Sequence, residues 1–131
     1  MAVQKVASGT LLVNDETVGW SPNTLEFDEG LGEQSVEAAI VGSGLAEQII
    51  IEDLESNFGM VNFSIPVTVE NIALARKWKK NPGRNLIQIL SQTSTGSLTK
   101  TFQQATLTNA YTVPISTDGK IDLEFKTNQA I

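Results

Sequence analysis

Two segments of this 131-residue sequence alternate between an apolar side and a more polar side, and this pattern constrains the fold more than any other feature. Residues 60–67 place an apolar side chain at every odd position, and residues 120–126 do the same from Ile121 to Phe125. A period of two residues is typical of a β-strand with one face buried. Both segments are therefore predicted to be strands that cover a core.

Turn signals separate further short strand candidates along the chain. These lie at residues 10–13, 17–20, 25–28, 35–41, 46–52, 85–91, 98–103, 106–111 and 113–116. One helix is predicted at about residues 69–80, capped by Thr68 and ended by Asn81-Pro82-Gly83, with Trp78 on its apolar stripe. The sequence thus predicts a mainly β (α+β) fold. We expect one domain over residues 1–131, an antiparallel β-sandwich or barrel-like subunit with a flanking helix.

The segments on either side of Gly42-Ser43-Gly44 are predicted to form a β-hairpin, whose register decides which side chains share a face. A two-residue turn at Ser43-Gly44 keeps the acidic residues away from the isoleucines, and burying unpaired charge is costly. This register predicts a core face made of Val36, Ala38, Ile40, Ile49 and Ile51. The opposite face, which holds Glu37, Gln48 and Glu52 with Ile50 as one large apolar exception, is expected to meet water or another chain.

The composition argues against several classes of function. The chain contains no Cys and no His, so it lacks a thiol nucleophile, a disulfide, and the commonest zinc ligand and neutral-pH base. The neighbouring carboxylates Asp28/Glu29 and Glu52/Asp53 do not form the facing pair that a glycosidase needs, because neighbours on a strand point to opposite faces. We expect no catalytic residue, no metal site and no cofactor.

Targeting and membrane signals are also not found. The longest apolar runs, such as Ile49–Ile51, are far shorter than the roughly 20 residues that span a bilayer. The first residues do not resemble a secretory signal, so we expect synthesis in a cytoplasm and no membrane insertion of the subunit.

The charges are segregated along the chain. No Lys or Arg lies between Lys5 and Arg76, whereas twelve Asp and Glu residues fall in that stretch. Five cations then follow closely: Arg76, Lys77, Lys79, Lys80 and Arg84. One interpretation is a solvated surface that complements the helix end. The other, which we favour because five cations exceed the needs of one helix end, is that the cluster meets Asp28, Glu29 and Glu33 of a neighbouring subunit.

The order of these features resembles the tail tube proteins of contractile-tailed bacteriophages. Three segments carry the resemblance. They are Phe27-Asp28-Glu29-Gly30-Leu31-Gly32-Glu33 leading into the hairpin, Glu70-Asn71-Ile72-Ala73-Leu74-Ala75 with Trp78 on the helix, and the closing Asp118-Gly119-Lys120-Ile121-Asp122-Leu123-Glu124-Phe125.

The resemblance implies a structural virion protein, six copies of which close into a ring, with stacked rings forming the hollow inner tube of a phage tail. It implies contacts with itself and with sheath, baseplate and tail-terminator proteins, and double-stranded DNA as a transient passenger. Together with the hairpin register it implies that Glu37, Gln48 and Glu52 face the lumen. Two alternatives stay open: a β-sandwich module that binds a ligand or a surface, and the tube protein of a contractile secretion or bacteriocin system.

Overall fold

The computed structural model describes residues 3–40, 46–53 and 57–131. Its single described helix, α1, spans Val69–Lys79. The strands are β1 Val3–Lys5, β2 Thr10–Val13, β3 Glu16–Val18, β4 Glu26–Asp28, β5 Glu33–Ile40, β6 Ala46–Asp53, β7 Gly59–Pro66, β8 Asn85–Thr93, β9 Gly96–Leu107 and β10 Lys120–Thr127. The predicted mainly β fold with one flanking helix is confirmed.

Eight of the strands form one antiparallel sheet in the order β1-β4-β7-β10-β9-β8-β2-β3. Strand β9 joins its two halves, because the first part of β9 pairs with β8 and its end pairs with β10. Between these parts the backbone departs from regular strand geometry, with a positive φ of 53° at Gln104 and a register shift opposite Asn85 and Ile87. We call the two parts the β8 half (β3-β2-β8 with the start of β9) and the β10 half (β1-β4-β7-β10).

Alternation along the strands sends every second side chain into one core. On β10 the residues Ile121, Leu123 and Phe125 are buried, while the residues between them are exposed. Inward residues of both halves belong to the same cluster, and Phe27 of β4 contacts Phe102 of β9 with ring centroids 5.6 Å apart. The two halves therefore share a single hydrophobic core.

Helix α1 covers this core from one side. Its Trp78 packs edge-on against Phe63 and Phe125, with centroid distances of 6.1 and 6.0 Å. The Thr68 hydroxyl accepts a hydrogen bond from the Asn71 backbone N–H at 3.1 Å, as the sequence predicted for its N-cap. The helix is thus held by a cap at its start and by an aromatic cluster near its end.

Asn85 connects the end of the helix to the sheet. It is 1% exposed, and its Nδ2 donates to the carbonyl oxygens of Trp78, Asn81 and Ala105 at 3.1, 3.1 and 3.2 Å. Its Oδ1 accepts from the Asn14 side chain at 3.1 Å, in the turn between β2 and β3. The buried Asn85 side chain therefore hydrogen-bonds to the helix end, to β9 and to the turn of the first hairpin. These bonds fix the position of α1 on the sheet.

Three sequence predictions about strands were wrong. Residues 98–103 and 106–111 are not two strands, because β9 runs through as far as Leu107. Residues 113–116 form no strand; Pro114 has no N–H to donate, and its carbonyl accepts from Ser116 in a turn. The short edge strand β1 was not predicted.

The register predicted for the second hairpin was also wrong. Strand β5 pairs with β6 so that Glu37 lies opposite Ile49, Val36 opposite Ile50, and Gln34 opposite Glu52. This pairing differs by one residue from the predicted one, and it puts Glu37 on the alternate set of positions from Gln48 and Glu52. The prediction placed Val36 in the subunit's own core, whereas Val36 is 59% exposed and β5 and β6 form a separate two-stranded sheet. The predicted turn at Ser43-Gly44 lies outside the described residues.

Candidate assembly surface

The hairpin of β5 and β6 carries an apolar pair that the subunit does not bury. Val36 and Ile50 are directly opposite each other, and each is 59% exposed. Gln48, on the same set of positions, is also exposed. An isolated two-stranded sheet is marginally stable in water and needs a further strand or a packing surface. The exposed Val36–Ile50 pair makes the hairpin, defined as β5 and β6, the candidate assembly surface.

The chain that enters this hairpin is fixed at Gly30. Gly30 has a φ of +72°, and a Cβ at this position would come within 2.6 Å of the backbone carbonyl carbon of Phe58. The Asp28 carboxylate accepts from the Gly30 N–H at 2.9 Å, and the Gln129 side chain donates to the Gly30 carbonyl at 3.1 Å. A glycine is required here both for the left-handed backbone and for the close approach.

Two of the three loop acids expected to reach a neighbouring subunit are used within this one. Asp28 is 8% exposed and makes the turn bond just described. Glu29 forms an ion pair with Lys100, in which both side chains are largely covered. Glu33 starts strand β5 and is exposed. Asp28 and Glu29 therefore anchor the base of the hairpin rather than project from it.

In the basic cluster at the end of α1, some cations make contacts within the subunit and others do not. Lys79 Nζ donates to the carbonyl oxygens of Leu107 and Asn109 at 2.9 and 3.0 Å, which ties the helix to the end of β9. Lys77 Nζ lies 4.0 Å from a Glu16 carboxylate oxygen, and both side chains are exposed, so this pair contributes little stability.

The remaining three cations, Arg76, Lys80 and Arg84, are exposed and form no ion pair within the described residues. We call them the free basic triad. Lys79 is thus engaged within the subunit, and the contact of the five cations with a neighbour stays a prediction.

The three residues predicted to face a lumen do not share one side of the hairpin. Gln48 and Glu52 occupy one set of alternating positions and Glu37 the other. Their lumen assignment stays a prediction.

Two features of this surface were not predicted. The Glu29–Lys100 pair joins distant parts of the chain, and no local pattern indicates it. For the exposed Val36–Ile50 pair there was one signal in the sequence. In the predicted register Ile50 was the one large apolar residue on the otherwise polar face.

No other kind of site stands out in the described part of the chain. It holds no group of three or more acidic residues placed to bind a metal ion. Its helix is too short and too polar to cross a bilayer.

The fold matches solved structures from contractile particles. One is the tube-terminating cap of the anti-feeding prophage, with a TM-score of 0.63 and 14% identity over 100% of this chain and 93% of that one. Another is a chain of the sheath–tube complex of PVC, an extracellular contractile injection system, in its extended state, with a TM-score of 0.62 and 16% identity over 96% of this chain and 88% of the other. At these identities the likeness concerns the fold, which agrees with the fold expected from the tail tube resemblance.

The sequence comparisons found nothing comparable. No protein-family model matches the chain. No curated protein matches it significantly.

Lys79 and Lys80 are adjacent in sequence, so substituting each in turn tests whether the Lys79 side chain stabilises the subunit through its contacts with Leu107 and Asn109. Lys79→Met removes the donor to Leu107 and Asn109, and we expect the free energy of unfolding to fall by about 1 kcal/mol. Lys80→Met removes an exposed cation without an ion-pair partner in the described residues, so we expect a change within about 0.5 kcal/mol. Urea unfolding measures both, and equal effects of the two substitutions would show that Lys79 does not tie the helix to β9.

Proposed function

We propose that this protein is the structural subunit of a hollow tube in a contractile particle, and that it assembles with copies of itself. The observation that carries the proposal is the hairpin, a separate two-stranded sheet whose opposed Val36 and Ile50 are exposed. A shared fold alone would not indicate assembly, and the exposed Val36–Ile50 pair adds support for it. The matches to a tube cap and to a sheath–tube complex support the proposal.

The finer features follow the resemblance stated above. Copies of the chain close into a ring, and the resemblance implies six copies in each ring. The rings stack into a tube that a sheath surrounds. The tube is a component of a phage tail or of a related contractile particle. In a phage tail the passenger is double-stranded DNA. The protein has no enzymatic role in this proposal.

The occupant of the hairpin's apolar face is a second copy of this chain. A symmetric assembly repeats one contact at every subunit, so a hairpin that is uncovered in one copy is covered in all copies once the ring or stack forms. The rigid base at Gly30 and the Glu29–Lys100 pair give the hairpin a fixed starting direction, which makes the same contact reproducible from copy to copy.

Charge complementarity indicates where the hairpin of one copy lies on the next. The strands β5 and β6 contain Glu33, Glu37, Glu47, Glu52 and Asp53 and no Lys or Arg. The free basic triad has cations without acidic partners among the described residues of its own subunit. We therefore propose that the triad of one copy meets the acidic hairpin of a neighbour, where opposite charges set register and association rate.

The apolar contact is tested by placing a charge on the hairpin. We expect Ile50→Glu to abolish rings and tubes in electron micrographs, because a buried unpaired carboxylate would be strongly unfavourable at a subunit contact. Circular dichroism and the unfolding midpoint of the dispersed subunit should stay near those of the wild type, since Ile50 is exposed there. The matched control is Ile115→Glu, at an apolar residue that is 84% exposed outside the hairpin. Tubes of normal appearance from Ile50→Glu would contradict the hairpin contact.

The charge contact is tested by reversal and rescue. We expect Lys80→Glu with Arg84→Glu to block assembly while the subunit stays folded, and we expect the further changes Glu33→Lys with Glu52→Lys to restore part of it. Lys5→Glu with Lys120→Glu changes the net charge equally at exposed sites outside the triad and serves as the control. Equal loss of assembly in the control pair would assign the effect to net charge and remove the triad from the contact.

A further inference from the structure

Residues 128–131 follow β10 and lie between β9 and the chain that enters the hairpin. On one side they bond to β9. The Asn128 N–H donates to the Gln103 carbonyl at 3.1 Å, and Ile131 exchanges two backbone hydrogen bonds with Thr101, at 2.9 and 3.3 Å. We call residues 128–131 the strap.

On its other side the strap bonds to the residues from which the hairpin starts, Glu29 and Gly30, which we call the hairpin root. The Ala130 N–H donates to the Glu29 carbonyl at 2.8 Å. The Gln129 side chain donates to the Gly30 carbonyl at 3.1 Å. Ala130 is also half-buried and packs against the hydrophobic core. The strap therefore holds both backbone carbonyls of the root while it is itself fastened to β9 and to the core.

The hairpin depends on its root for its direction, because β5 and β6 pair with each other and belong to a sheet of their own. The root is held by the Asp28 turn bond, by the Glu29–Lys100 ion pair and by the strap. Lys100 lies on β9, next to the strap's partner Thr101. Contacts from β9 thus reach the root both directly and through the strap.

Building on the hairpin contact proposed above, we infer that the strap sets the direction of the hairpin and thereby makes the subunit competent to assemble. Gln129 and Gly30 are 99 residues apart in sequence, and the strap directly follows β10, so its contact with the root requires β10 to be in place. Asn128, Gln129 and Ile131 are exposed, and segments with few buried contacts open most easily. The hairpin therefore acquires its direction only when the rest of the sheet is complete.

Two adjacent amide side chains of the strap provide a matched pair of variants. Gln129→Ala combined with Ala130→Pro removes both donors to the root, because proline has no N–H. Asn128→Ala removes instead a side-chain bond of 2.9 Å to Gln104 of β9 and leaves both donors to the root. Gln129→Ala alone is the milder variant, and near-wild-type circular dichroism is the check that each subunit folds.

The direction of the hairpin is measured in dilute, dispersed subunits by the distance between two spin labels. The chain has no cysteine, so Gln48→Cys on β6 and Glu124→Cys on β10 place the labels at exposed residues. We expect one narrow distance distribution in the otherwise wild-type chain and with Asn128→Ala. We expect a broad or displaced distribution with Gln129→Ala and Ala130→Pro. An unchanged narrow distribution in that variant would overturn the inference.

Assembly of the unlabelled variants is compared by negative-stain electron microscopy at equal protein concentration. We expect a wild-type yield of tubes from Asn128→Ala and a several-fold loss from Gln129→Ala with Ala130→Pro. A normal yield from the latter, despite a broadened distance distribution, would also overturn the inference, because hairpin direction would then not govern assembly. If wild-type protein forms no tubes, the proposed function fails, whereas the distances in dispersed subunits still decide whether the strap directs the hairpin.

Discussion

The subunit depends on one hydrophobic core that both halves of the sheet share, and β9 makes this possible by passing from one half to the other. The aromatic contacts of Trp78 with Phe63 and Phe125 cover that core with the helix, and Asn85 holds the helix end in place. Because alternate residues of each strand enter this core, the remaining residues form two outward faces. The hairpin forms a separate two-stranded sheet and belongs to neither half.

This arrangement separates what stabilises the subunit from what is available to other molecules. Asp28, Glu29 and Lys79 all serve internal purposes, in a turn, an ion pair and a tie to β9. The free basic triad and the apolar pair of the hairpin are exposed and make no such contact among the described residues. Substitutions in the second group are therefore informative about assembly, because the folded subunit does not depend on them.

Much of the fold could be predicted from local patterns. Alternation indicated β7 and β10, and Thr68 with Asn81-Pro82-Gly83 marked the two ends of the helix. The register of the second hairpin could not be predicted, because acidic and apolar residues alternate irregularly along both strands and no local pattern indicates which face is buried. The roles of Lys79 and Glu29 depend on contacts between distant segments, which no local spacing indicates.

The central claim is that this chain assembles with itself into rings and tubes. Negative-stain electron microscopy of the purified wild-type protein, across a wide range of protein concentration and at low and high salt, tests it most directly. We expect annular particles seen end-on and rods of uniform width seen from the side, increasing with protein concentration, because each added copy covers the hairpin of another. A field of separate particles of monomer size under all of these conditions would contradict the claim and favour a β-sandwich binding module.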